Sequence, residues 1–92
     1  MSDIEERQAE IEGWVIAACQ ALKLPIGAAA DDIFDAGGTS LTVVRLIARA
    51  EDQFGADVLS PDEIVESSSV RGIAASIWHN MAAAAATAAD WS

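Results

Sequence analysis

Apolar residues recur at intervals of three and four along most of the chain, and no segment alternates convincingly with a period of two. The pattern therefore predicts helices and no sheet. The first helix is expected from about Ser2 to Leu24. Ser2-x-x-Glu5 reads as a capping box, and Ile4, Ile11, Trp14, Val15, Ala18, Cys19 and Leu22 fall on one face, opposite most of Arg7, Gln8, Glu10 and Glu12. Pro25 lacks an N–H and disfavours helical geometry at Leu24, so the helix is expected to stop there. A second helix is predicted from Thr39 or Ser40 to about Phe54, with Val43, Leu46, Ile47, Ala50 and Phe54 inward and Gly55 as a left-handed cap. Ser60-Pro61-x-Glu63 supplies a cap, a first-position proline and a capping glutamate for a short third helix, Pro61 to Glu66. After Ser67-Ser68-Ser69 a fourth helix begins near Val70, capped by Ser69, with Val70, Ile73, Ala74, Ile77 and Met81 inward. Beyond Met81 the chain is nearly all alanine, a helix extension or a fraying tail.

Two segments do not fit a simple bundle. Residues 25–39 form a long connection whose only large central apolar residues are Ile33 and Phe34. That pair is expected to pin it to the core, with a short helical turn near Asp31–Phe34. Leu41, Val44 and Ala48 draw a second apolar line on the second helix, which a helix this short cannot bury together with the first. At least part of that line is expected to be exposed. Ala56-Asp57-Val58-Leu59 is too short for a strand and follows a helix cap.

Composition narrows the function. Ninety-two residues make one small domain. A formal net charge of -10 makes nucleic acid and anionic membrane surfaces poor partners. No apolar run is long enough to cross a bilayer, and the acidic N-terminus is the reverse of a signal peptide, so a reducing cytoplasm is the expected compartment. One Cys and one His exclude a disulfide framework and argue against a zinc site. A hydrophobic content of 52% is too high for a disordered acidic chain.

The segment Asp35-Ala36-Gly37-Gly38-Thr39-Ser40-Leu41 carries the candidate chemistry. Two glycines permit a tight turn, and the Ser40 hydroxyl follows at the start of a helix, where free N–H groups and the positive dipole end favour a phosphate ester. Gly38 is expected to leave room for an enzyme to reach that oxygen. Taken alone, Thr39 and Ser40 could simply cap the helix. Cys19 reads as a buried small residue, His79 as exposed or partly packed, and Trp14 and Trp78 as core or boundary aromatics. No role is derived for Trp91. A hydrolase triad of Ser40, His79 and an aspartate lacks both the strand–turn–helix setting and the second glycine of its motif. Asp31, Asp32 and Asp35 lack calcium-loop spacing and read as solvated loop residues.

The block Ile33-Phe34-Asp35-Ala36-Gly37-Gly38-Thr39-Ser40-Leu41 resembles the attachment motif of peptidyl carrier proteins: two aromatics, a variable residue, Leu, Gly-Gly, a variable residue and Ser-Leu. Val43, Leu46, Ala50 and Phe54-Gly55 continue the match, as does Ile64-Val65-Glu66-Ser67-Ser68-Ser69-Val70, and the resemblance covers roughly residues 4 to 81. It implies an all-α, four-helix carrier domain over residues 1–81, followed by the Ala-rich segment 82–92. Ser40 would receive 4′-phosphopantetheine from coenzyme A through a phosphopantetheinyl transferase, with Gly37, Gly38 and Thr39 forming the attachment loop. An adenylation enzyme would load an amino acid as a thioester, and condensation or tailoring enzymes would act on it, the carrier itself catalysing nothing. Leu41, Val44, Arg45 and Ala48 would belong to the partner-docking face, with Arg49 beside them. A monomer, free-standing because it starts with Met and ends just past the fourth helix, is the expected form. Departures are Ile33 for an aromatic, Ala36 for Leu, Thr39 for His or Asp, and Ser68 for Pro. Ala36 weakens the loop's anchor and points to a more mobile loop. Thr39 favours the aminoacyl branch over acyl carriers, which typically show Asp-Ser-Leu. The alternatives are a fatty or polyketide acyl carrier, and a helical interaction module without a prosthetic group.

Overall fold

A computed structural model describes residues 3–90, with side chains described for residues 5–85. Ser2, the side chain of Ile4 and Trp91 lie outside that description. Four helices follow in order: α1 (Asp3–Ala21), α2 (Ser40–Phe54), α3 (Pro61–Glu66) and α4 (Val70–Asp90). No strand occurs among the described residues; the one extended pairing is an isolated bridge between Asp32 and Ser69. The architecture is the all-α four-helix bundle, with α1 packed most extensively on α4 and the short α3 wedged between α2 and α4. No helix of the described chain is long and apolar enough to cross a membrane.

The predicted stripes become the core. Ile11, Val15, Ala18 and Cys19 of α1 meet Val43, Leu46 and Ala50 of α2, Ile64 of α3 and Val70, Ile73, Ala74 and Ile77 of α4, all buried. Trp14, Leu22, Ile47, Phe54, Trp78 and Met81 sit half-buried around this centre. Trp14 and Phe54 join α1 to the end of α2 edge-to-face, with ring centroids 4.9 Å apart. Loops add to the core as well: Leu24, Ile26, Ile33, Val58 and Leu59 are buried. Val58 and Leu59 thus belong to a packed connection, held where Asn80 of α4 donates to the Val58 carbonyl at 2.9 Å.

Two helix ends differ from expectation. Helix α1 ends at Ala21, before Leu24, because Lys23 adopts a left-handed φ of 69°. The Leu24 N–H then reaches the Cys19 carbonyl (3.0 Å) and the Lys23 N–H the Gln20 carbonyl (2.9 Å), closing the last turn in the Schellman manner. Pro25 lies outside the helix and only bars its resumption. At the end of α2, Gly55 has φ 122° and ψ 166°, an extended mirror-image conformation in place of a left-handed helical cap. Its N–H donates to the Glu51 carbonyl.

Cys19 is fully buried, and that burial pushes its thiol up to about 11. The thiolate is the reactive form. At about pH 8, modification by a thiol reagent should therefore be at least about a hundredfold slower in the folded protein than in denaturant. Equal rates would show that the α1–α4 interface opens freely.

Candidate functional site

The connection between α1 and α2 is organised by its own aspartates. Asp31 Oδ2 accepts the N–H groups of Gly27 (2.9 Å) and Ala28 (3.0 Å). Asp32 Oδ1 accepts those of Phe34 (2.8 Å) and Asp35 (3.2 Å), opening a turn that closes through Ala36 N–H to the Asp32 carbonyl and Gly37 N–H to the Phe34 carbonyl. The expected turn therefore begins at Asp32. Asp31 and Asp32 are structural acceptors, not merely solvated loop residues.

The same loop is stitched to the start of α4. Ile33 N–H donates to the Ser68 carbonyl (3.0 Å), Val70 N–H to the Asp31 carbonyl (2.9 Å) and Arg71 N–H to the Ala29 carbonyl (2.9 Å). The Ser68 hydroxyl donates to Asp32 Oδ2. Ser68, where the resembled pattern has proline, thus gains a tie that proline could not make. Ala36, small as it is, packs against the core.

The Ser68 hydrogen bond holds the Asp32 carboxyl below its ordinary value, partly opposed by burial and reinforced by the N–H groups of Asp35 and Phe34. A carboxyl lowered by folding adds stability above its unfolded pKa and loses it as pH falls through the folded value. The tie should thus be complete above about pH 4 and loosen only under stronger acid. Ser68→Ala should move the Asp32 titration, followed by carbon NMR, upward toward an ordinary aspartate. No movement would mean that the loop amides alone set it.

Of the expected anchor pair, Ile33 is fully buried whereas Phe34 is 38% exposed. The turn sends successive side chains in different directions, so only the first reaches the core. Gly37 has a φ of 103° that favours glycine. Gly38 serves internal packing: its N–H donates to the Ile33 carbonyl at 2.7 Å, and a Cβ there would lie 2.6 Å from that oxygen.

Thr39 is the N-cap of α2. Its hydroxyl accepts the Thr42 N–H (3.4 Å), and the Thr42 hydroxyl accepts the Thr39 N–H (3.1 Å), a reciprocal capping box. This settles which residue caps the helix and leaves Ser40 as its first residue, exposed, its hydroxyl in no hydrogen bond among the described residues. The first turn of α2 holds no acidic residue to neutralise its positive end. Ser40 borders an apolar cleft of about 210 Å³ lined also by Phe34, Val43, Val44, Pro61 and Val65. Phe34 and Val65 were not legible as site residues; their position depends on how the loop and α3 converge on α2.

The expected docking set is exposed, Leu41 at 56% and Val44 at 60%, with Arg45 and Ala48 also at the surface. The structure divides it. Val44 lies in the Ser40 cleft, while Arg45 and Ala48 line a different groove of about 590 Å³ with Lys23, Arg49 and Asp52. The larger groove is not the one beside the serine, so size alone would misplace the site. His79 is exposed on α4 and does not line the Ser40 cleft, and the described residues hold no metal-binding cluster.

The arrangement offers a hydroxyl free to be esterified, at an unneutralised helix N-terminus suited to a phosphodiester, and the cleft it borders is lined by no titratable side chain that could make it a catalytic nucleophile. These residues fit a prosthetic group attached by another enzyme. Comparisons with curated proteins and with solved structures found no match. A family model described as "Phosphopantetheine attachment site" matches residues 16–77, from within α1 to within α4. That match takes in both the glycine turn and Ser40, and the chain belongs to this family of carrier domains, which bear covalent 4′-phosphopantetheine and are modified by partner enzymes instead of catalysing reactions themselves.

Proposed function

We propose that this chain is a peptidyl carrier protein that tethers an amino acid on a phosphopantetheine arm at Ser40. The observation that carries the attachment site is the Ser40 hydroxyl, exposed and without a hydrogen bond at the start of α2 because Thr39 has taken over the cap. In the transfer, the Ser40 oxygen forms a bond to the phosphorus that bears the pantetheine of coenzyme A. The pyrophosphate P–O bond breaks, adenosine 3′,5′-bisphosphate leaves, and the hydroxyl proton passes to a base of the transferase. The attached arm supplies a terminal thiol that holds a carboxylic acid as a thioester. This chain's own part is to fix the turn through Gly37 and Gly38, cap α2 through Thr39, and present the arm to successive enzymes at high effective concentration.

The amino-acid cargo is supported by Thr39 before the serine and by the exposed Arg45 and Arg49, which make this side of α2 less acidic than the chain as a whole. An adenylation enzyme would load the carrier and condensation or tailoring enzymes would use it, in nonribosomal peptide or related natural-product synthesis in the cytoplasm. The test is intact mass after incubation with coenzyme A and a broad-specificity phosphopantetheinyl transferase, then loading trials with aminoacyl and with fatty or polyketide acyl donors. One phosphopantetheine followed by aminoacyl loading supports the proposal. Acyl loading alone would make the protein an acyl carrier, and no mass gain would make it a helical interaction module.

Val44 tests the docking role. It is 60% exposed beside Ser40, so Val44→Asp removes little core packing. The variant should fold and reach full modification at end point, yet load about tenfold more slowly because a charge must be desolvated at the interface. Parental loading kinetics would count against a docking role for this face.

A further inference from the structure

The chain holds five lysines and arginines against fifteen acids, yet Lys23, Arg45 and Arg49 line one groove. The groove runs between the end of α1 and the outer face of α2, with Ala48 among its lining residues and Asp52 as its one carboxylate. All three cations are exposed, and none of their charged side-chain groups makes an ion pair or hydrogen bond among the described residues. In a chain so rich in carboxylates, three unpaired cations in one concavity form a local field opposite in sign to the whole molecule. At physiological ionic strength the screening length is about 8 Å, so a surface seated in this groove responds to the local cations more than to the distant net charge.

The extent of the surface indicates what fits it. From Leu41 to Asp52 the outer face of α2 is about 17 Å long at ~1.5 Å per residue. It is apolar at the Ser40 end, through Leu41 and Val44, and cationic at the other, through Arg45 and Arg49 joined by Lys23 of the α1 terminus. A small anion would occupy only the groove. A folded partner with an apolar spot flanked by carboxylates would cover the whole strip and point its active site toward Ser40.

We infer that this carrier docks the enzyme that loads it through an acidic surface patch of that enzyme, received by Lys23, Arg45 and Arg49. The inference takes from the proposed function only the identity of the partner as the loading enzyme; the charge preference of the groove stands apart from it. An acidic carrier is thereby steered to a carboxylate-bearing partner, the reverse of what its net charge predicts.

The test is an NMR titration of the ¹⁵N-labelled full chain with an oligoglutamate decapeptide, an oligolysine decapeptide and coenzyme A in turn. Oligoglutamate should shift the amides around Lys23 and Arg45–Asp52. The shifts should vanish near 1 M salt, where the screening length is about 3 Å, and binding should weaken at least tenfold in Arg45→Glu/Arg49→Glu. Arg45→Gln/Arg49→Gln, which introduces no repulsion, should lie between. Oligolysine should leave these amides unmoved. Shifts by oligolysine at the groove, no shifts by oligoglutamate, or coenzyme A binding there as strongly as the peptide would each overturn the inference. Mass gain at Ser40 is read separately in the unlabelled protein, so a failure of the carrier reading is not confused with a failure of the groove.

Discussion

Ser40→Ala is expected to abolish attachment of phosphopantetheine completely while leaving the melting temperature nearly unchanged. The two halves of that outcome rest on the same geometry. The Ser40 hydroxyl makes no hydrogen bond among the described residues, its side chain is exposed, and alanine is the best residue for a helix interior. The loss of stability should stay within about 0.5 kcal/mol, the range of surface substitutions that break no specific feature. Thr39→Ala is the complementary variant. It removes the cap that accepts the Thr42 N–H and should cost about 1 kcal/mol, yet still gain the arm. Intact mass and a thermal melt on both variants separate cap from attachment point. A mass gain in Ser40→Ala would move attachment elsewhere, with Thr39 and the Ser67–Ser69 run as the next hydroxyls to test.

The bundle was legible because its inward positions form an almost unbroken three-and-four pattern. Val43, Leu46, Ala50, Val70, Ile73, Ala74 and Ile77 are buried as their spacing predicts. The third helix was legible for a different reason: Ser60 and Glu63 are close enough in sequence to satisfy each other, and both capping bonds form. What could not be read depends on residues distant in sequence. The Asp32–Ser68 tie spans 36 positions. Glu63 accepts from Asn80 of α4 at 2.8 Å while it also caps its own helix, a second use that no local pattern signals. Phe34 lines the Ser40 cleft, although an aromatic beside Ile33 in the middle of the connection reads as a second anchor. At the site, the serine and its glycines were legible as a motif, but the division of labour was not. Thr39 and Ser40 are equally good caps by composition, and only the Thr39–Thr42 exchange decides between them.

Gly38→Ala should cause the largest loss of stability of any substitution in the attachment loop, about 3 kcal/mol. A Cβ at this position would lie 2.6 Å from the Ile33 carbonyl oxygen and 3.2 Å from its carbon. Both are backbone atoms, so no side-chain rotation relieves the clash. Ile33 cannot retreat easily either: its side chain is fully buried and its N–H is bound to the Ser68 carbonyl. Relief requires overpacking, at about 1–3 kcal/mol, or opening the 2.7 Å bond from Gly38 N–H to the Ile33 carbonyl, at about 1 kcal/mol more. For a domain of this size, each 1 kcal/mol lowers the melting temperature by roughly 4–8 °C, so a fall of about 12–24 °C is expected. Gly37→Ala is the control. Nothing lies within 4 Å of its added Cβ, and only the strain of φ 103° remains, about 1–2 kcal/mol. The pair also separates two roles for Gly38. If glycine served only to admit a transferase to Ser40, Gly38→Ala would slow modification without lowering the melting temperature. If it serves to bring the turn against Ile33, the melt must fall first, and slower modification follows because the turn that holds Ser40 in place has been displaced.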